Sequence, residues 1–235
     1  RINSNFFGYL VKRVAVDYVY DIPIVSFYIA PHDEWALYCK RLADIFISAI
    51  LLIVLLPLFV LVAILIKLTS KGPIFFEWKL LGLNKKPFTS YKFRTMVEHA
   101  EEIEKQLRQE NINEMKGVYF KLKKDSRVTP LGQILRKLSI DELPQLYSVI
   151  KGDMSLVGPR PVRIFEKDEL KDWHRRRFCV RPGGTSPWVV SGKNKINDFD
   201  DIARLDLSYI DKWSLWLDAK ILLKTIPFIL LGKNN

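Results

Sequence analysis

The longest apolar stretch of the chain covers residues 45–66, a run of 22 that holds no charge and only Ser48 as a polar side chain. A continuous helix of that length rises roughly 33 Å at about 1.5 Å per residue, enough to cross a bilayer core about 30 Å thick. Pro57 interrupts it. Proline lacks the N–H that would bond the carbonyl of Ile53, so a kink or break is predicted there. Cut at Pro57, the halves reach roughly 18 and 14 Å, and neither spans alone. Lys40 and Arg41 precede the run and Lys67 and Lys71 follow it, so loop charge gives no preferred orientation. A single-pass anchor is the simpler reading of hydropathy. A hairpin that enters and leaves the same leaflet satisfies both the proline and the symmetric charge.

Beyond this segment, residues 73–78 and 87–96 alternate as short strands around a turn at Gly82-Leu83-Asn84. A mostly charged helix is predicted over 97–113. Its pairs Glu101/Lys105 and Glu104/Arg108 stand at i,i+4 spacing, which predicts a solvated face rather than a metal site. Further helices are predicted over 131–137, 141–151 with Gly152 as the stop, 164–177 and 201–217. The stretch 213–224 mixes tryptophans, lysines and aliphatics, and it reads equally well as a helix at a lipid interface or an ordinary core helix. The leading residues resemble the end of another α/β unit. The coarse picture is an α+β, mainly helical fold.

Composition narrows this picture. With 235 residues, 49% of them hydrophobic, and 14 Phe, 9 Tyr and 6 Trp, the chain is not disordered and can bury a sizeable core without a disulfide or metal staple. Cys39 and Cys179 lie far apart and match no zinc spacing; one bond between them is the sole disulfide the sequence allows. Residues 1–38 show no basic segment followed by an apolar one, so no signal peptide is expected, and a first residue Arg1 fits a fragment of a longer chain. The formal charge is +11, from 37 Lys+Arg and 26 Asp+Glu, yet residues 1–66 carry 5 of each sign. The whole surplus therefore follows the apolar run. Residues 115–195 alone hold 18 basic and 8 acidic side chains. Such a bias fits polyphosphate substrates, nucleic acid or an anionic membrane surface, although a 22-residue apolar segment is an odd companion for RNA binding.

Inside the basic stretch, Leu138-Ser-Ile-Asp141-Glu142-Leu-Pro-Gln145 places two adjacent carboxylates at a helix start beside Arg136 and Lys137. A carboxylate there gains from the helix dipole and the cations and should stay ionised. It can act as a nucleophile or hold a divalent metal that bridges phosphates. The same residues also read as a Ser139-x-x-Glu142 capping box, and the two roles can coexist. Downstream, Gly158-Pro-Arg160-Pro161 fixes the backbone on both sides of a guanidinium suited to bidentate phosphate bonds; an exposed Arg in a turn is the simpler alternative. Lys92 and Arg94 share one strand face as further phosphate contacts or as a solvated edge. Arg181 and the triplet Arg175-Arg176-Arg177 read first as an interfacial basic face, and second as substrate or headgroup ligands. His32, His99 and His174 match no metal or nucleophile spacing, and no glycine-rich phosphate loop is present.

Taken in order, Lys40-Arg41-x-x-Asp44 before a proline-broken apolar run, Tyr91-Lys-Phe-Arg-Thr-Met96, Arg136-x-x-Ser139-x-Asp141-Glu142-Leu-Pro-Gln145, Gly152-Asp-Met-Ser155 and Gly158-Pro-Arg-Pro161 resemble the monotopic polyprenyl-phosphate phosphoglycosyl transferases of bacteria. The resemblance covers about residues 38–230. It implies a membrane enzyme that moves a sugar 1-phosphate, expected to be glucose or galactose 1-phosphate, from a UDP-sugar to undecaprenyl phosphate and releases UMP. Asp141 would be the nucleophile of a covalent phosphosugar intermediate and would contact Mg2+. Glu142 would be its acidic partner. Arg94, Arg136, Arg160, Lys92 and Arg181 would bind phosphates, with Lys40 and Arg41 near the lipid headgroup and Pro57 at the break of a re-entrant membrane helix. In this reading residues 1–38 are the remnant of an upstream α/β domain or a linker, 39–70 the re-entrant hairpin, and 71–235 a small catalytic domain lying on the cytoplasmic face of the bacterial inner membrane through interfacial amphipathic helices. Membrane lipids are expected partners, nucleic acid is not, and a homodimer is compatible with the sequence. The family's Arg-Pro-Gly-(Ile or Leu)-Thr-Gly-x-x-Gln pattern stands here as Arg181-Pro-Gly-Gly184-Thr185-Ser186-Pro-Trp188-Val189, and its serine before the breaking proline is Leu56. The alternative is a non-enzymatic membrane-anchored module that binds anionic lipids or nucleic acid.

Overall fold

A computed structural model describes residues 13–19, 22–28, 31, 33–110, 112–122, 125–192 and 196–230. The part of the leading segment before residue 13 lies outside the described residues. Strands β1 (Arg13–Val19) and β2 (Ile22–Tyr28) pair antiparallel with Val16 opposite Val25.

Helix α1 (Glu34–Val54) starts where the Asp33 side chain accepts the Ala36 N–H, and α2 (Leu56–Thr69) follows after the single residue Leu55. The two meet at a bend of 60°. The break falls two residues ahead of the position expected from the proline. Pro57 sits in the first turn of α2, where its missing N–H needs no helical partner, and the carbonyl of Ile53 takes the N–H of Leu55 instead. Among the described residues no single helix is long and apolar enough to cross a membrane; the bent pair meets that requirement together, by length and composition.

Asp44 and Ser48 are the buried side chains of α1, while Phe46, Ile53, Val54, Leu56, Leu61, Ile64 and Leu68 stand more than half exposed. Only one face of α2 is covered. Val62 and Ile66 pack with Phe93 and Leu135, backed by Phe59 and Ile140. An apolar surface this continuous is more than a soluble monomer ordinarily leaves to water.

The remainder folds as an α+β, mainly helical unit. Strands β3 (Phe75–Leu81) and β4 (Pro87–Phe93) form a hairpin with Phe75 opposite Phe93. Its turn is the 3-10 segment Leu83–Lys85, with Asn84 and Lys85 both at positive φ, a geometry asparagine tolerates better than most residues. Then come α3 (Ala100–Gln109), α4 (Pro130–Lys137) and α5 (Gln145–Lys151), the last stopped by Gly152 at φ 99°. Strands β5 (Ser155–Val157) and β6 (Val162–Arg163) follow, β6 extending the first hairpin on its β3 side. Two 3-10 segments, Ile164–Glu169 and Asp172–Cys179, replace the one helix expected over 164–177. Strand β7 (Gly183–Thr185) pairs parallel with β5, and α6 (Pro187–Val190), α7 (Phe199–Lys212) and α8 (Leu215–Leu230) complete the order. Two cores hold the unit together, one around Val118, Trp188, Phe199 and Ile202, the other around Val149, Met154, Val157 and Ile210.

Two surface expectations fail for one reason. Glu104 is buried with Arg127 and Arg163, so this face of α3 is not solvated. Arg176 and Arg177 are likewise buried, each paired with an aspartate, instead of forming an interfacial basic face. In both cases the partner lies far along the chain, where local spacing cannot see it. Helix α8 has two faces: Asp218, Ile221 and Thr225 are buried, while Trp216, Leu223 and Ile226 are exposed. No disulfide joins Cys39 and Cys179.

Candidate functional site

The 3-10 turn Ile140–Glu142 carries the paired carboxylates between α4 and α5. It is not the expected capping box. Ser139 takes a left-handed conformation at φ 52° with no capping bond from its side chain, and the helix proper starts only at Gln145 after Pro144. A non-glycine residue held there stores on the order of 1–3 kcal/mol of backbone strain. The turn folds Asp141 inward to 7% exposure at the wall of a cavity of about 620 Å³. That volume lies within the usual range of small-molecule sites.

The cavity wall gathers residues from four separated stretches: Lys92 and Arg94 from β4 and its end, Arg136 from α4, Asp141 and Glu142, and Arg160 after β5. Lys92 Nζ lies 2.8 Å from Glu142 Oε1 and 3.8 Å from the centre of the Trp78 ring. Burial lowers the Lys92 pKa, with Glu142 and Asp141 pulling it back up. Arg136 donates from Nε to Thr95 Oγ1 at 2.9 Å, and burial lowers its pKa against the opposing pull of Asp141. Arg94 Nη2 donates to the carbonyl and hydroxyl of Ser70 at 2.9 and 2.8 Å, tying the end of α2 to the cavity rim. Cations already desolvated in this way bind an anion without shedding much further water.

Arg160 is held differently. Its guanidinium lies between the rings of Tyr119 and Trp188, 5.3 and 4.9 Å from their centres. The loop before it depends on two glycines at a close approach: a Cβ on Gly158 would stand 2.5 Å from the Arg181 carbonyl, and one on Gly183 only 2.1 Å from the Gly158 nitrogen. The altered Gly184 has no such constraint, its nearest neighbour being the Leu156 carbonyl at 3.7 Å. Ser186 and Trp188 are buried, and Val189 packs against the core around Phe199.

Lys40, Arg41 and Arg181 stand apart, lining a second, smaller cavity of about 150 Å³. Lys40 Nζ reaches Asp218 at 2.5 Å and the Val157 carbonyl at 3.1 Å. Arg41 donates to the carbonyls of Val149 and Ile150 at 2.6 and 2.7 Å, and Arg181 to that of Gly152 at 2.8 Å, all at the C-terminal end of α5, where a helix dipole favours cations. Asp44 accepts the Leu156 N–H at 3.1 Å. These residues seat the base of the bent helix pair on the rest of the molecule. Pro57 lines neither cavity.

Neither Tyr119 nor Asp206 stands out in the sequence, while Arg177 reads there only as part of a basic triplet and Trp188 only as a member of the 181–189 loop. Asp206 left one signal: it interrupts the apolar stripe Ile202, Ala203, Leu207, Ile210 on the buried face of α7. Burial pushes the Asp206 carboxyl up to about 6 in spite of Arg177 beside it. Among the described residues no group of three or more His, Cys, Asp or Glu side chains is placed to hold a metal ion.

The model for a family described as bacterial sugar transferase matches residues 35–232. The chain is 40% identical over 199 residues to the exopolysaccharide production protein ExoY of Sinorhizobium fredii, covering 83% of this chain and 87% of that one. It is 48% identical over 161 residues to the galactosyl transferase CpsE of Streptococcus agalactiae, covering 68% of this chain and 35% of CpsE. Against the undecaprenyl-phosphate galactose phosphotransferase of Salmonella typhimurium the identity is 40% over 196 residues, which is 82% of this chain and 40% of that protein. The chain thus spans most of ExoY and less than half of the two larger relatives.

Proposed function

The chain belongs to the bacterial sugar transferase family, and on that footing we propose that it transfers a sugar 1-phosphate from a UDP-sugar to undecaprenyl phosphate through a covalent intermediate on Asp141. The observation that carries this reading is the juxtaposition of buried Asp141 and its half-buried neighbour Glu142 with Lys92, Arg94, Arg136 and Arg160 in a single cavity beside an apolar bent helix pair. Four cations against two carboxylates leave a surplus of positive charge, which suits the anionic diphosphate of a sugar nucleotide.

In the first step a carboxylate oxygen of Asp141 attacks the sugar-linked phosphorus. The bond from that phosphorus to the oxygen of the uridine-bearing phosphate breaks, and UMP leaves with the electron pair. In the second, a phosphate oxygen of undecaprenyl phosphate attacks the same phosphorus. The bond to Asp141 breaks, which frees the carboxylate and leaves the sugar diphosphate on the lipid. Glu142 accepts the proton of the arriving phosphate, with Lys92 holding its carboxylate in place. A Mg2+ ion fits such a site, because it is commonly held by one or two carboxylates together with substrate phosphates; Asp141 and Glu142 are the residues that would hold it. When bound, it would neutralise charge that develops on the phosphates.

The relatives' names also point to the acceptor: the Salmonella and Komagataeibacter xylinus proteins are named undecaprenyl-phosphate galactose and glucose phosphotransferases. A hexose is accordingly the proposed sugar, and the product is proposed to enter exopolysaccharide or capsule synthesis. The exposed apolar faces of α1, α2 and α8 would enter one leaflet of the cytoplasmic membrane and leave the cavity at its cytoplasmic surface, within reach of a lipid phosphate.

Two measurements test this. Purified protein incubated with undecaprenyl phosphate, Mg2+ and a panel of UDP-sugars should release UMP with a hexose donor; silence across the panel would favour the non-enzymatic lipid-binding alternative. For the hairpin, Cys39 is exposed and free. In a Cys179→Ser background, Cys39 and a cysteine introduced at Lys71 should label from the same side of sealed vesicles. Labelling from opposite sides would mean that the pair spans.

A further inference from the structure

Arg160 is gripped by its backbone as well as by its side chain. Its carbonyl accepts from Arg177 Nη2 at 2.7 Å and from the Tyr119 hydroxyl at 3.2 Å. Its backbone N–H faces the Asp206 carboxylate and favours the charged form. Arg177 Nη2 also donates to the Tyr119 hydroxyl at 3.1 Å and lies 2.6 Å from Asp206 Oδ2. The Arg177 and Asp206 side chains are 2% and 0% exposed, and neither lines the cavity; Arg160, Tyr119 and Trp188 all do. The pair sits against the core formed by Tyr119, Trp188, Phe199, Ile202 and Ala203.

A fully buried ion pair is a poor device for stability alone, since apolar residues of the same volume commonly do as well or better. What this pair does that apolar residues could not is to donate to the backbone carbonyl of one cavity residue and to hold a carboxylate against the donor. Tyr119 links the two halves of the grip: its hydroxyl holds the Arg160 backbone and its ring lies against the guanidinium.

We propose that Asp206 and Arg177 are positioning residues that act through Tyr119 and the backbone of Arg160 to fix the guanidinium for the diphosphate of the nucleotide donor. This rests on the reading of Arg160 as a diphosphate ligand. A guanidinium fixed beforehand loses little freedom on binding, and its two parallel N–H groups require the phosphate oxygens in one plane.

The test is a double-mutant cycle with Asp206→Asn and Arg160→Ala, read both as kcat/KM for the UDP-sugar and as Kd for UDP in the presence of Mg2+. Alone, Asp206→Asn should lower kcat/KM on the order of 10²-fold, as a displacement of about 1 Å can, and should weaken UDP binding, with KM for undecaprenyl phosphate unchanged. In the Arg160→Ala background the same substitution should cost less than about 3-fold, because residues acting as a unit are not additive. Equal losses with and without Arg160 would make Asp206 merely structural and overturn the proposal. Should Asp206→Asn fail to fold, Tyr119→Phe carries the same cycle, since it keeps the ring and removes only the hydroxyl. Coupling in UDP binding without any UMP release would refute the transferase reading and leave the positioning role standing. UMP release with additive losses would do the reverse, and a wild type that neither binds UDP nor releases UMP overturns both.

Discussion

Replacing Asp141 by Asn should reduce UMP release by at least about 10³-fold, the scale on which enzymes lose rate when their nucleophile is removed. The amide has the shape of the carboxyl, so the fold and the cavity should persist. It lacks the charge and the nucleophilic oxygen, so no bond to phosphorus can form. Omitting the lipid acceptor isolates the first step: wild-type protein given a UDP-sugar labelled in the sugar should retain one label per chain, and Asp141→Asn none. A variant that keeps its label, or that turns over at the wild-type rate, would remove Asp141 from the reaction. Glu142→Gln is expected to behave otherwise. Its Lys92 partner is already lowered by burial and would lose its nearest carboxylate, so the variant should still form the intermediate but pass it slowly to the lipid. The contrast between trapped label and slow discharge separates the two carboxylates in a way that total activity alone does not.

The parts of this site legible from sequence are those whose signal is local. Asp141 and Glu142 are adjacent, Arg160 stands between two prolines, and Lys92 and Arg94 share a strand face; each could be read within a few residues. Pro57 announced the bend, although the break itself lies at Leu55 because proline is accommodated best in the first turn of the following helix. What local reading missed are contacts closed by the tertiary fold. Glu104 meets Arg163 across 59 residues, and Arg177 meets Tyr119 across 58. Spacing at i,i+4 correctly pairs Glu104 with Arg108 but says nothing about burial. The clearest unused clue was Asp206, a carboxylate on the apolar stripe of an amphipathic helix, where burial without a partner would be too costly to persist. The expected capping box failed for a related reason: the Ser-x-x-Glu pattern is necessary for that motif and not sufficient, and here the left-handed Ser139 turns Asp141 into the cavity instead.

The largest effect on stability is expected at Glu104. Its two oxygens are shared among three guanidiniums, with Arg108 Nε at 3.1 Å, Arg127 Nη1 at 3.1 Å and Arg163 Nη2 at 2.9 Å. Asp125 and Glu166 complete the cluster, lying 2.7 Å from Arg127 and 3.1 Å from Arg163. Removing Glu104 leaves the three cations with Asp125, Glu166 and, at 3.8 Å from Arg108, the half-exposed Glu169, and the Arg127 side chain is only 3% exposed. Breaking a buried pair from one side costs about 3–5 kcal/mol, because the remaining charge is stranded away from water. For a chain of this size that corresponds to a fall in Tm of roughly 6–20 °C for Glu104→Ala. Glu101→Ala, one turn earlier and exposed, should stay within about 0.5 kcal/mol. The sign of the pH dependence follows from the carboxyl itself: burial raises its pKa, but Arg163, Arg108 and Arg127 together hold it below its ordinary value of 4.5. A carboxyl lowered in the folded state stabilises the protein fully above pH 4.5 and loses that contribution as pH falls through its folded value. Glu166 works in the opposite sense, since burial raises its pKa, so the acid limb of the wild type is a partial cancellation. The gap in Tm between wild type and Glu104→Ala should therefore be widest near neutrality and should narrow steadily below pH 4.5. Melting curves that stay within about 1 °C of each other at neutral pH would show that the three arginines find other partners. Because Glu104, Arg127 and Arg163 also line the cavity, the same variant should lose affinity for the nucleotide donor before it loses its fold.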